Sequence, residues 1–189
     1  MSKKSLIRRE AARIFARKGY DATSVDEIAV EVGVAKGTIY YHFDSKRALF
    51  ASVISDGLDG LLGEAEESIA STSDPVEQLG RVIDAIVDYE RRFEDVVYLL
   101  FKEALIPGCE WIEEIRSRWV RFVELISGIV AKGRAAGRIR DIDGEAIAHY
   151  IVGTLAAAAI GRAARGEGTR TDRGLAGLRS IVMVGVAQA

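Results

Sequence analysis

Between residues 34 and 46 the chain reads VAKGTIYYHFDSK. Lys36, Thr38, Tyr40, Tyr41, His42 and Lys46 crowd around only two large apolar anchors, Ile39 and Phe43. These types suit a polyanion with readable edges. Lysine neutralises phosphate, hydroxyls donate to phosphate oxygens, and the threonine methyl can meet a thymine methyl. Gly37 lets the backbone approach such a partner closely. Ile39 and Phe43 stand at i and i+4, so a short helix anchored by them leaves the polar groups facing outward. An inward-packed ring for one of the two tyrosines is the alternative. Lys46 opens the next helix, where its charge opposes the helix macrodipole, and an external phosphate would offset that.

Other chemistries find less support. His42, His149 and Cys109 have no spacing that joins them as a zinc site. His149 has no nearby nucleophile and orienting acid for covalent catalysis, and the glycines form no phosphate-cradling loop. No metal, no cofactor and no catalytic residue is therefore expected. A single cysteine excludes an intramolecular disulfide. The net charge is −2 over 189 residues, which does not describe a general polyanion binder. Residues 1–50 nevertheless hold ten Lys/Arg against six Asp/Glu, and the remainder sixteen against twenty-two. A basic N-terminal third on an acidic body suggests a local anionic partner. The start of the chain has no apolar secretory core. The most apolar run, residues 146–161, is short for a bilayer and holds His149 and Tyr150, so a buried helix is expected there, in a soluble cytoplasmic protein with no membrane partner.

The elements that must position the polar cluster follow from periodicity and caps. Ile7, Ala11, Ile14 and Phe15 form one face of a helix over 6–18 that Gly19 stops. Ser24 and Glu27 have capping-box spacing ahead of a helix that ends at Gly33, with Val25, Ile28, Ala29 and Val32 inward. A second short helix covers 36–43. A long helix runs from Ser45 to about Ser71, interrupted by Gly57, Gly60 and Gly63, which predict either close helix packing or a compliant joint. Asp74, Pro75 and Glu77 start the next helix, to about Leu105 with a break near Phe93 and an end at Pro107 and Gly108. Further helices are expected over about 110–136, closed by Gly137, from Asp143 to about Arg165, and from Thr171 or Asp172 to about Ala187. The chain reads as all-α, with an N-terminal three-helix unit and a C-terminal helical bundle.

Two groupings stand out in the C-terminal part. Tyr89, Phe93, Phe101, Trp111, Trp119, Phe122, His149 and Tyr150 are candidates to line an apolar or aromatic effector cavity between helices, against the alternative of ordinary core. The helix over 144–165 is apolar nearly all round and must be buried on several sides. Gly153, Ala156, Ala157, Ile160, Leu178 and Val182 are the expected dimer contacts.

Two short helices joined by a tight turn behind a longer one make a helix-turn-helix. The segment TSVDEIAVEVGVAKGTIYYHFDSKRALF, with RREAARIFARKGYDA before it, resembles the DNA-binding domain of the TetR family of transcriptional regulators. The resemblance covers roughly residues 5–50, and G-Y-x-A-T-S, K-G-T-I-Y-Y-H-F and S-K-x-x-L-F fall in register. It implies phosphate contacts from Thr23 and Ser24, base-edge proximity for Lys36, Gly37, Thr38 and Tyr41, and backbone contacts from Tyr40, His42 and Lys46. Beyond residue 50 the likeness is one of length and helicity. The expectation is a DNA-binding domain over 1–50 and a ligand-binding and dimerisation domain over 51–189. The protein would be a homodimeric repressor that binds a near-palindromic double-stranded operator and is released by a small hydrophobic or aromatic effector. A helical-bundle enzyme, or an interaction protein without DNA binding, is the alternative.

Overall fold

The first helix, α1 (Lys3–Lys18), begins where the Ser2 side chain accepts from the Ser5 N–H and ends at Gly19, whose φ of 84° suits a residue without Cβ. The second, α2 (Val25–Val32), starts at Ser24 and stops at Gly33 with φ 73° in the left-handed region, as its sequence predicts. The turn leads directly into α3 (Lys36–His42). These are followed by α4 (Lys46–Ser68), α5 (Pro75–Arg92), α6 (Glu94–Ala104), α7 (Ile112–Ala135), α8 (Gly144–Arg165) and α9 (Leu178–Val186). The structure is a computed structural model that describes residues 2–104, 111–165, 175 and 177–186. The expected stop at Pro107 and Gly108, Cys109, and the expected last-helix start at Thr171 or Asp172 lie outside them. Among the described residues all regular structure is helical. The break near Phe93 is present, with Phe93 separating α5 from α6.

The chain divides into two compact units, and the division differs from a cut at residue 50. Among the described residues, one unit runs to Leu58 and takes up those between Asp95 and Ile115, and the other holds Asp59–Glu94 and those from Arg116 onward. The reason is packing. Ile7, Phe15, Ile28, Ile39, Phe43, Leu49 and Phe50 share one core with Val53, Ile54, Leu99 and Trp111. Aromatic rings dominate its centre. Phe50 meets Phe15 edge-on at 4.8 Å and lies 4.7 Å from Trp111, while Tyr20 stands 5.5 Å from Trp111. Such pairs add to simple area burial through their quadrupoles. A three-helix unit of about fifty residues buries too little surface to be robust alone, and α6 with Trp111 supplies more.

In the second unit Leu79, Ile83 and Ile86 of α5, Ile126 and Val130 of α7, Ile151 and Leu155 of α8, and Leu178 and Val182 of α9 are buried. Asp74 caps α5 by accepting from the N–H groups of Val76 and Glu77, with Pro75 at the first helical position. Those bonds hold its carboxyl below the ordinary aspartate range. Of the three interrupting glycines, two mark close packing. A Cβ on Gly57 would clash with the Val96 side chain, and one on Gly60 would meet the Tyr89 hydroxyl at 2.8 Å, whereas nothing lies within 4 Å of such a Cβ on Gly63.

Candidate nucleic-acid interface

The polar face of α3 is built by two anchors and a turn. Ile39 and Phe43 are buried, as their spacing predicts, and Val34 packs partly against the same core. The Gly33 corner orients α3, with the Val34 N–H donating to the Ala29 carbonyl at 2.9 Å. Lys36 and Gly37 are exposed and Thr38 and His42 are half-buried. Tyr40 and Tyr41 are 44% and 85% exposed, so neither ring packs inside. A Cβ on Gly37 would meet nothing within 4 Å, which leaves the first turn of α3 open to close approach. The His42 ring lies edge-on to Tyr41 at 5.1 Å. Lysine, glycine, threonine, two tyrosines and histidine thus share one accessible helix and its flanks.

Two expected contacts, Thr23 and Lys46, are placed differently. Thr23 is 2% exposed and its hydroxyl donates to the Gly19 carbonyl at 2.7 Å, so it braces the α1–α2 turn and is not placed to meet a phosphate. Ser24 is exposed, and its hydroxyl accepts from the Glu27 N–H at 3.1 Å as the α2 cap, which leaves its O–H to donate outward. The Glu27 carboxylate pairs with Lys18. Lys46 turns inward. Its ammonium donates to the carbonyls of Tyr20 at 2.8 Å, Thr23 at 2.9 Å and, more loosely, Asp21 at 3.4 Å. It also stands 4.3 Å from the Tyr20 ring centroid. Three ammonium donors serving three carbonyls leave none for a phosphate. Its charge at the start of α4 is answered from within the chain.

Sequence periodicity does not reveal one cation beside this face, Lys4, or the partner of another, Lys36. Lys4 of α1 is exposed and its ammonium lies 5.4 Å from the Phe43 ring centroid, at the end of α3. Lys36 donates to the Asp26 carboxylate at 2.7 Å. The ion pair holds the lysine above its usual range, first through that hydrogen bond and then through the charge. No local spacing announces either pairing, because a turn brings the partners together.

The expected effector set is divided between the two units. Trp111 and Phe101 fall in the unit that carries α3, and Trp111, 4% exposed, is core there beside Tyr20 and Phe50. Phe93 and Tyr150 are 37% and 44% exposed, and His149 is exposed with Nδ1 2.9 Å from the Glu145 carbonyl. What remains grouped in the second unit is Tyr89 against Phe93 at 4.7 Å, and Trp119 against His149 at 4.9 Å and Phe122 at 6.0 Å. The expected dimer contacts also divide. Gly153, Ala157 and Ile160 are exposed and Ala156 is half-buried, but Leu178 and Val182 are 1% and 3% exposed and pack within their own protomer. The outward residues of α9 are Ile181 and Val184, at 58% and 77% exposure.

Comparison with known proteins agrees with this arrangement. Residues 7–53 match the model of bacterial regulatory proteins of the tetR family, and residues 75–183 match the tetracyclin repressor-like C-terminal domain. The HTH-type transcriptional repressor KstR2 of Mycolicibacterium smegmatis is 30% identical over 150 residues, spanning 75% of this chain and 70% of that protein. The regulator YerO of Bacillus subtilis is 36% identical over 115 residues, 59% of this chain but only 39% of that protein's length. Among solved structures, the transcriptional regulator FadR of Bacillus subtilis in complex with stearoyl-CoA superposes with a TM-score of 0.80 at 22% identity, covering 96% of this chain and 98% of the other. With a helix-turn-helix, a matching C-terminal helical domain over more than half its length and a regulator 30% identical over most of both chains, the chain belongs to the TetR family of bacterial transcriptional regulators.

Proposed function

We propose that the protein is a homodimeric, effector-responsive repressor in the cytoplasm, whose two α3 helices enter successive major grooves of a near-palindromic operator. The observation that carries this is the accessible row Lys36, Gly37, Thr38, Tyr40 and Tyr41 on a helix anchored by buried Ile39 and Phe43. Lysine and hydroxyl groups on such a face serve phosphates and base edges together. Dimerisation is supported by α8. It is long and apolar enough to cross a membrane, yet only 28% of its apolar window is buried in the protomer. Tyr150, Gly153, Ala157 and Ile160, with Ile181 and Val184 of α9, are the apolar surface left over. A second copy that pairs the same helices into a four-helix bundle would cover it.

The effector we infer is lipophilic. The stearoyl-CoA-bound regulator shares the fold, and Trp119, Phe122 and Tyr89 offer apolar surface in the unit matched by the C-terminal model. A ligand moves the reading heads only by binding one arrangement more tightly than the other, and a 100-fold preference corresponds to about 2.7 kcal/mol. The test is fluorescence anisotropy on a duplex that the wild type selects from a randomised pool, across a salt series and with added stearoyl-CoA. Tight, salt-sensitive binding that the Tyr40→Ala, Tyr41→Ala double variant loses is expected, with release by the acyl-CoA. Binding by the double variant equal to wild type would refute the site. Unchanged occupancy with stearoyl-CoA would refute this class of effector.

A further inference from the structure

Asp26 and Lys36 are ten residues apart, and the α2–α3 turn brings them to 2.7 Å. Both are largely in solvent, with side-chain exposures of 65% and 49%. An exposed pair of this kind adds little to stability, because water screens it and two long side chains lose freedom. The fold gives it no strong reason to exist. Its place is at the open edge of the reading face: the next residue is the uncovered Gly37, and the Tyr41 ring beyond is 85% exposed. Left unpaired, such a lysine would attract any phosphate.

We propose that Asp26 is a specificity-determining positioning residue, which holds Lys36 so that this cation answers neutral base-edge acceptors and not phosphates met at random. The inference rests on the DNA-binding reading of α3. Binding to DNA of any sequence is driven mainly by cations that neutralise phosphates and release counterions. Lys36 already has its charge compensated. A phosphate that docks on it must displace the carboxylate or lie beside it, and both are unfavourable between anions. A base edge is neutral. An ammonium group has three donors, so one can stay on Asp26 while another reaches an acceptor such as guanine O6 or N7 in the major groove. The pair therefore withholds a non-specific contact while leaving a specific one possible. It also fixes a flexible side chain before DNA arrives, which lowers the ordering cost of binding.

The test compares two duplexes, one selected by the wild type from a randomised pool and one of the same composition shuffled, by anisotropy across a salt series. Asp26→Asn should tighten binding to the shuffled duplex about three- to ten-fold and steepen its salt slope by about one unit, as a freed lysine engages a phosphate. The ratio of selected to shuffled affinity should fall, and Asp26→Glu should keep it. Adding Lys36→Met to Asp26→Asn should return the slope to the wild-type value. Without DNA, nuclear magnetic resonance titration of the Lys36 amine should show its pKa falling in Asp26→Asn, since Asp26 holds it raised. An unchanged ratio, or an equal gain from Asp26→Asn in the Lys36→Met background, would overturn the proposal while leaving the DNA-binding reading intact. A wild type that selects no duplex overturns both.

Discussion

Lys46 spans the corner between α1 and α2, and its three carbonyl acceptors flank the Ser24 cap of α2. Hydrogen bonds from a charged donor contribute roughly 1.5–3 kcal/mol when their loss strands the partner. Lys46→Met, which keeps the alkyl stem, should therefore destabilise the protein by about 2 kcal/mol in denaturant unfolding. It should weaken DNA binding without changing the salt slope, because no phosphate contact is lost. A stable variant with a slope lower by about one unit would return Lys46 to the phosphate role. Glu103 is a buried charge, 5% exposed in α6. Burial pushes its carboxyl above the ordinary glutamate range, against the opposing effects of Lys102 and a hydrogen bond with Trp111. A folded-state pKa above the unfolded one means the native state binds more protons in that interval, so stability falls as pH rises through it. Glu103→Gln should raise the melting temperature at neutral pH, and the gain should vanish below the ordinary glutamate range. A gain independent of pH would contradict this. The outward residues of α3 were legible because Ile39 and Phe43 define its buried side by spacing alone. The partners of Lys36 and Lys46 were not, since Asp26 and the Tyr20 and Thr23 carbonyls arrive by way of turns.

At the scale of elements, caps and glycine stops located most helix ends. Ser24, Gly33, Asp74 and Gly137 act where their chemistry predicts, with Gly137 at φ 66° after α7. Which face of α9 turns inward was not legible. Leu178, Val182 and Val186 are buried while Ile181 and Val184 are exposed, and all five are apolar. Periodicity cannot choose between two apolar faces when one is buried in its own protomer and the other is exposed. The distinction yields a paired prediction. Ile160→Arg and Val184→Arg should give folded monomers by circular dichroism and sedimentation. Val182→Arg should instead unfold the second unit, because an unpaired charge would be buried. An undisturbed dimer in both of the first two variants would rule out the α8–α9 face.

For the whole molecule, composition and helix count made the all-α architecture legible, but the division into units was not. Trp111 lies sixty-one residues after Phe50 and packs 4.7 Å from its ring. A contact that long in sequence leaves no periodic trace, so an aromatic set grouped by chain position separated into two cores. The DNA-binding face needs the first of those cores to hold α3, and the apolar remainder of α8 and α9 asks for a second copy. In the dimer we propose, two reading heads related by two-fold symmetry meet major grooves about 34–36 Å apart or at a multiple of that distance. Sequencing the duplexes that the wild-type protein enriches from a randomised pool tests this directly. The account predicts an inverted repeat whose half-site centres are separated by about one helical turn, or a multiple of it. Enrichment of a single asymmetric half-site, or of no sequence at all, would contradict it.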